Sequence, residues 1–421
     1  MKIGVWKQSI STELPIHLTG FGNPNRKFTG VHDDIYAAAL VLEEQGKQIA
    51  IVTADVLGFD RKRLQYVRSL IAEWTHIAED AILFNASHTH SAPQVLIDCN
   101  PGIGAYEAEY AEQFYDTLVE TVCKAAADLE EGELYRGETE CYGIGVNRRR
   151  IVNGEYQFAA FEDGVRNDEV SVLKAVCGSK VKAVLFQFTC HPSTTGFDEI
   201  SADYPGVARK AVEDQYPGAA ALFLQGCCGN IRIRTVQEDG IRFRSGTYED
   251  VQFFGSKLAD KVLAVLNGDM VPVSGELGYQ MENFAVPLKE KSEIEVYQKK
   301  AEEELSRHEH FAFEHYVKYY DMLPTQLPYS IQRIDLGAEL SFFALEGEVC
   351  IEYDYHMKRL LPNRHVITAG YSNGMPGYIC TADMYPYGGY EPAGSTVCYL
   401  VPNGFDPAIE QVILDHANRL V

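Results

Sequence analysis

Short β-branched apolar runs alternate with amphipathic helical stretches along most of this chain, and that alternation restricts the fold more than any other feature. Residues 48–56 read QIAIVTADV, a buried strand, and Arg61–Thr75 follows with Leu64, Val67, Leu70 and Ile71 at helical spacing. Residues 81–86 predict the next strand, and 106–130 a long helix, apolar on one side and acidic on the other. Segments 170–177 and 181–190 flank Gly178-Ser179-Lys180, which predicts a hairpin. Residues 219–225 predict another buried strand and 247–266 another helix. Further on, Leu340–Leu345 and 365–370 predict strands around a helix over 349–361. Residues 406–420 predict a closing helix, with Pro407 in its first turn. The fold class is therefore α/β, with layered mixed β-sheets flanked by helices. The chain reads as one domain over 1–421, with a helical insertion at about 291–323. That insertion is charged and lacks an apolar stripe through its middle, as in a projecting helical hairpin.

Charge narrows the function classes. Against 37 basic residues stand 60 acidic ones, a formal net charge of −23. A nucleic-acid partner is not expected, because phosphate neutralisation needs a basic surface. Stable association with an anionic membrane is disfavoured for the same reason. The opening MKIGVWKQSISTELP has no apolar run of signal-peptide length, and no stretch is long and apolar enough to predict a membrane span. The ten cysteines form no C-x-x-C pair and fall mostly in apolar segments, which predicts reduced thiols and a cytoplasmic protein. The expected partner is a small-molecule substrate, and a homo-oligomer is compatible with the sequence.

Chemistry concentrates in a few motifs. Ser87-His88-Thr89-His90-Ser91-Ala92-Pro93 stands at the carboxyl end of a predicted strand. Residues two apart on a strand share a face, about 7 Å apart by strand rise, so both imidazoles can reach one ion. Zinc accepts neutral imidazole nitrogens and, in catalytic sites, keeps a position open for water. Thr189-Cys190-His191-Pro192-Ser193 ends a second apolar strand, in the crevice where open α/β sheets bind ligands. Either motif alone also fits packing or surface histidines; together they form a candidate zinc set. Residues 224–234 read LQGCCGNIRIR, a glycine-bearing turn that brings backbone amides close to a ligand. Arg232 and Arg234 suit forked hydrogen bonds to a carboxylate or phosphate, although a tight turn with solvated arginines fits the same residues. Arg148-Arg149-Arg150 is a second basic cluster, which as a charge run reads as a solvated face. Gly347-Glu348 lies at a strand-to-helix junction, and the tyrosine-rich stretch 378–396 reads on its own as a structural loop.

In this order the pieces resemble the neutral ceramidase family, zinc-dependent amidases that cleave the N-acyl bond of ceramide. The resemblance runs over nearly the whole chain, from Gly30-Val31-His32-Asp33 and Thr53-Ala54-Asp55 through SHTHSAP, Gly145-Val146-Asn147-Arg148 and Cys190-His191-Pro192. It continues through Ser201-Ala202-Asp203-Tyr204-Pro205-Gly206, QGCCGN, Gly347-Glu348 and YICTADMY, then Tyr390-Glu391 and Ser395-Thr396. It implies a neutral-ceramidase-like catalytic domain, with zinc ligands carried over onto His88, His90, His191, Glu348 and Tyr385. Glu346 competes with Glu348 for the carboxylate role.

The departures carry as much information. The family's nucleophilic serine lies in a G-D-x-S-P turn, and residues 229–233 here read GNIRI. Arg232 thus stands at the serine and Asn230 at the aspartate. The family's oxyanion tyrosine falls on Cys398 or Tyr399. Neither the signal peptide nor the carboxyl-terminal immunoglobulin-like domain of the secreted members is expected, and ceramide is not the expected substrate. The resemblance then implies a zinc-dependent hydrolase that cleaves an amide or ester in a small polar substrate, anionic or sugar-containing, by metal-activated water. Asp55, Asp203 and His32 are candidate general bases, each equally suited to capping a helix or closing a turn. Arg232 would bind substrate or stabilise developing charge, and Arg148, Arg234, Asn230 and Tyr390 would contact substrate. A Cys227 or Cys228 thiolate is an alternative nucleophile. Two other readings stay open: a non-catalytic metal- or ligand-binding protein, and a glycosidase, which needs two carboxylates flanking the bond.

Overall fold

The structure is a computed structural model that describes residues 1–13, 16–21 and 26–421. Three sheets of four or five strands organise it. The first runs in the order Ile82–Ala86, Lys47–Ala54, Tyr36–Glu44, Lys2–Ser9 and Glu130–Glu131. The second runs Ala220–Gln225, Lys180–Phe188, Glu169–Cys177, Glu133–Glu140 and Val271–Val273, and the third Leu277–Pro287, Gln326–Leu336, Leu340–Leu345 and His365–Ala369. Helices Arg61–Thr75 and Ala108–Ala127 pack together, the second of them on the first sheet. Helices Asp203–Gln215 and Tyr248–Leu266 pair beside the second sheet, and Ile409–Arg419 lies on the third. Among the described residues no helix is long and apolar enough to cross a membrane.

Each sheet is antiparallel except at one edge, where its last two strands run parallel. Parallel neighbours end on the same side, so each sheet delivers two carboxyl-terminal loops to one place. These loops begin at Asp55, Ser87, Thr189, Gly226, Glu346 and Gly370. The three edges are tied together by a single buried side chain. Asn85 donates to the carbonyls of Gln225 (3.2 Å) and Gly370 (2.6 Å) and to the Ser372 hydroxyl (3.2 Å). Its own oxygen accepts the Gln225 backbone N–H at 2.7 Å.

Several boundaries differ from the sequence expectation, for local reasons. The helix expected over 106–130 is Ala108–Ala127, because Glu130–Glu131 joins the edge of the first sheet. The helix expected over 349–361 begins at Glu352, because Glu348–Val349 pairs in parallel with Tyr378–Ile379. Pro407 precedes the last helix, which starts at Ile409. The stretch 291–323 holds two helices, Ile294–Ala301 and Arg307–Lys318, and it does not project. Tyr297, Ala312 and Tyr316 are buried with Leu57, Leu96 and Ile103, so its apolar stripe is made of rings rather than aliphatic side chains.

Replacing Asn85 by Ala strands the Gln225 N–H and removes the donors that join the sheets. The unfolding free energy should fall by about 2–4 kcal/mol. A urea-unfolding midpoint equal to that of the parent protein would refute this role.

Candidate metal centre

The H-x-H imidazoles converge, but not by strand alternation. The strand stops at Ala86, and His88 sits in the loop beyond it with left-handed backbone (φ 65°). That turn brings the His88 and His90 rings to 4.8 Å between centroids. His191, just past the strand Lys180–Phe188, lies 5.0 Å from His88 and 5.8 Å from His90 by the same measure. One ring nitrogen from each of the three lies within 4.8 Å of the others. Glu348 completes the group: its Oε2 is 3.3 Å from His88 Nε2 and 3.0 Å from His191 Nε2. Glu346 points elsewhere, into an ion pair with Arg61 and a hydrogen bond from Ser330.

Tautomers follow from the hydrogen bonds. His88 Nδ1 meets the Leu57 carbonyl at 2.6 Å, and His191 Nδ1 meets the carbonyls of Cys228 (2.7 Å) and Ile231 (3.0 Å). A carbonyl only accepts, so both Nδ1 atoms carry hydrogen and both Nε2 atoms present lone pairs. His88 Nε2 and His90 Nε2 stand 3.2 Å apart. Lone pairs of buried nitrogens therefore crowd a carboxylate oxygen, an arrangement that repels itself unless a cation lies between them. A proton is a poor candidate at neutral pH. Burial, helped by Arg148, pushes the His191 imidazole down to about 4. Burial also holds His90 well below its usual range, helped by repulsion from His88 and His191. Burial alone would raise the Glu348 carboxyl; positive charge placed at His88 and His191 outweighs it and holds the carboxyl well below the carboxylate range, a part that a cation between these groups would fill. Neutral imidazoles plus a carboxylate, with His88 and His191 each anchored through Nδ1 on a backbone carbonyl, are a donor set that fits a divalent transition metal.

The tyrosine carried over by resemblance needs correction. Tyr385 lies in a 3₁₀ turn with its ring beneath Lys289 Nζ (4.9 Å), and burial, added to by Cys380, Cys350, Asp406 and Glu410, raises its hydroxyl pKa. The phenols beside Glu348 are Tyr378 and Tyr399. Tyr378 is the register partner of Glu348 across the short parallel pair, and Tyr399 Oη donates to Glu348 Oε1. Arg148 Nη2 donates to Tyr378 Oη at 2.9 Å, while its Nε pairs with buried Glu391 at 2.7 Å. The Tyr390 ring covers Arg148 and packs edge-on against Tyr378. Tyr371, whose ring is 4.3 Å from that of His88, was not expected from sequence. Nor was Arg26, which donates to the His90 carbonyl at 2.7 Å.

Other expected site residues have structural partners instead. Asp55 is buried against Arg209 and accepts the Tyr36 N–H at 2.9 Å. His32 is exposed, bonded to Asp33 (2.8 Å) and stacked on Tyr248. Asp203 clamps a loop: it accepts the Thr194 N–H at 2.8 Å and the Thr194 hydroxyl, and burial raises it to about 6. Asn230 holds the start of helix Glu352–Leu360, accepting the Ile351 N–H at 2.8 Å and donating to Glu352. Arg234 turns outward to Glu162 at 2.6 Å. Arg232 stays beside the centre, over the rings of Phe243 (4.7 Å) and Phe158 (5.7 Å). On the other side of Tyr399 opens a cleft of about 610 Å³, lined by Leu96, Ile97, Phe311 and Met375.

Comparison with known proteins fits this geometry. Residues 2–277 match the sequence profile of the neutral/alkaline non-lysosomal ceramidase N-terminal domain. Neutral ceramidase of Pseudomonas aeruginosa is 23% identical over 291 residues, which cover 66% of this chain and 43% of that protein. Neutral ceramidase of Drosophila melanogaster is 22% identical over 312 residues, covering 63% of this chain and 44% of that protein. The chain thus spans less than half the length of these relatives. The crystal structure of the Pseudomonas aeruginosa neutral ceramidase superposes with a TM-score of 0.78 at 20% identity, over 100% of this chain and 74% of that one.

The purified protein should hold about one divalent ion per chain. His88→Ala and Glu348→Gln should each weaken it at least tenfold, measured by elemental analysis after competition with a chelator. Tyr378→Phe should weaken retention and Tyr385→Phe should not; the reverse order would reinstate Tyr385 as the ligand.

Proposed function

The chain belongs to the neutral/alkaline non-lysosomal ceramidase family, and from that premise we propose that it is a zinc-dependent hydrolase of an amide or ester bond in a small polar substrate. The observation that carries this reading is the convergence of His88, His90, His191 and Glu348, with two of the imidazoles locked to present Nε2. Zinc bound there would polarise a carbonyl oxygen and lower the pKa of a water molecule.

The chain's own groups supply the rest. Arg148 donates to Tyr378 Oη, which leaves that hydroxyl's hydrogen free to point at Glu348 or at a substrate oxygen. Tyr378 and Tyr390 then flank the place where charge develops on a carbonyl oxygen and can donate to it there. Glu391 fixes Arg148, so this donor array is set before substrate arrives.

Water is the proposed nucleophile because no side chain at the centre is suited to the task. Arg232 occupies the position of the family's serine. Burial pushes the thiols of Cys227 and Cys228 well up, which keeps both protonated.

The test is a panel of N-acyl amines, esters and ceramide, assayed with the zinc-loaded protein. Turnover should favour short polar amides or esters over ceramide. His191→Ala should cost at least a hundredfold in kcat/KM with the far-ultraviolet circular dichroism unchanged. Ceramide as the preferred substrate would overturn the polar assignment. Zinc binding without turnover across the panel would reduce the protein to a metal-binding relative.

A further inference from the structure

Arg232 is a half-buried cation without a counter-charge among the described residues. It lies on the short strand Ile231–Ile233, paired with Gly145–Val152 so that Arg232 faces Val146 in register. Ile231, one residue earlier, accepts the Nδ1–H of His191 through its carbonyl, which fixes Arg232 next to the metal centre. Its Nε is buried and has no hydrogen-bond partner, and no carboxylate among the described residues pairs with its guanidinium. The groups around it are the rings of Phe158 and Phe243, the hydroxyls of Tyr378 and Tyr390, and a second cation, Arg148. The neighbouring arginines are all matched: Arg148 and Arg149 share Glu391, and Arg234 has Glu162.

A partly desolvated, unmatched guanidinium is unfavourable unless an anion joins it. Burial, added to by Arg148, pushes its pKa down to about 10. The chain carries 60 acidic side chains, yet none is spent here. Phe158 and Tyr390 are partly exposed, so an incoming anion can reach the guanidinium, and the rings beside it would strengthen the ion pair.

We infer that Arg232 is a substrate-binding residue that takes an oxyanion, a carboxylate or phosphate, carried by the substrate beside the metal centre. The substrate class is then an acylated amine or alcohol with an acidic group close to the scissile bond. This rests on the hydrolase reading above and narrows its substrate.

The experiment is titration calorimetry on the metal-loaded protein with three probes of similar size: N-acetylglycine, the phosphate monoester of N-acetylethanolamine, and neutral N-acetylethanolamine. At least one anionic probe should bind at least tenfold tighter than the neutral one, and the tighter of the two identifies the oxyanion. Arg232→Met should abolish that preference while metal content and thermal midpoint stay unchanged, and Arg232→Lys should keep part of it. No charge preference in the parent protein would overturn the inference. A preference that survives in Arg232→Met would also overturn it, since the anion would then be held by the metal. Because the readout is binding, the inference stands or falls independently of turnover. Hydrolysis without charge preference sinks the Arg232 assignment alone. An Arg232-dependent preference without hydrolysis leaves it standing and sinks the hydrolase reading.

Discussion

The amide of Asn85 is the point on which the architecture closes. Three sheets each end in a parallel edge pair, and an exposed parallel edge would leave its backbone groups unpaired. Here the edges meet, and Asn85 satisfies backbone groups of the second sheet's edge and of the loop after the third. Backbone bonds finish the join, from Ala86 N–H to the Tyr371 carbonyl and from Gly229 N–H to the Val349 carbonyl. A short polar side chain suits this position because it must lie between three backbones at once, donating to two of them and accepting from one. Gln225 extends the tie, its amide donating to the carbonyls of Ser87 and Cys190. The loops bearing the histidines are therefore held by the same network that joins the sheets.

That closure explains the electrostatics of the centre. Side chains that would be solvated on separate sheets are buried together once the edges meet. Two clusters of like groups result: a set of acceptors at His88, His191 and Glu348, all buried, with half-buried His90, and a pair of guanidinia at buried Arg148 and half-buried Arg232. Repulsion inside each cluster makes it receptive to the opposite charge, a cation for the first and an anion for the second. Tyr378 stands between them, in register with Glu348 and bonded to Arg148. A substrate with an acidic group and a carbonyl would match that spacing of charge.

The parts of this centre legible in sequence are those announced by a strand end. His88, His90, His191 and Glu348 each follow an apolar β run, and the residue types at those positions suit a metal. What the sequence did not disclose is register and long-range pairing. Tyr378 and Tyr385 share one motif, and only the alignment of Glu348 with Tyr378 across two short strands separates them. Asp55 and Arg209 are far apart in the chain, and so are Asn230 and Glu352; nothing local marks either pair as structural. The insertion hides its apolar face from a sequence reading for a different reason: that face is built of Tyr297 and Tyr316, amphipathic residues that dilute an aliphatic stripe.

The centre is also composite along the chain, and that bears on which segments it needs. The three histidines and Arg232 fall inside residues 2–277, where the family profile matches. Glu348, Tyr371, Tyr378, Tyr390 and Tyr399 all lie beyond it, on or after the third sheet. The first segment alone would hold three neutral imidazoles and an arginine pair without the carboxylate that balances a divalent charge. Arg148 would lose Glu391, its only ion-pair partner among the described residues, and Tyr378, whose hydroxyl it orients. The structural likeness to the bacterial neutral ceramidase covers 100% of this chain, so the third sheet is part of the same fold rather than an addition to it. Metal binding at this centre would therefore need the segment after residue 277 for its charge balance, although the histidines that first reveal the site come before it.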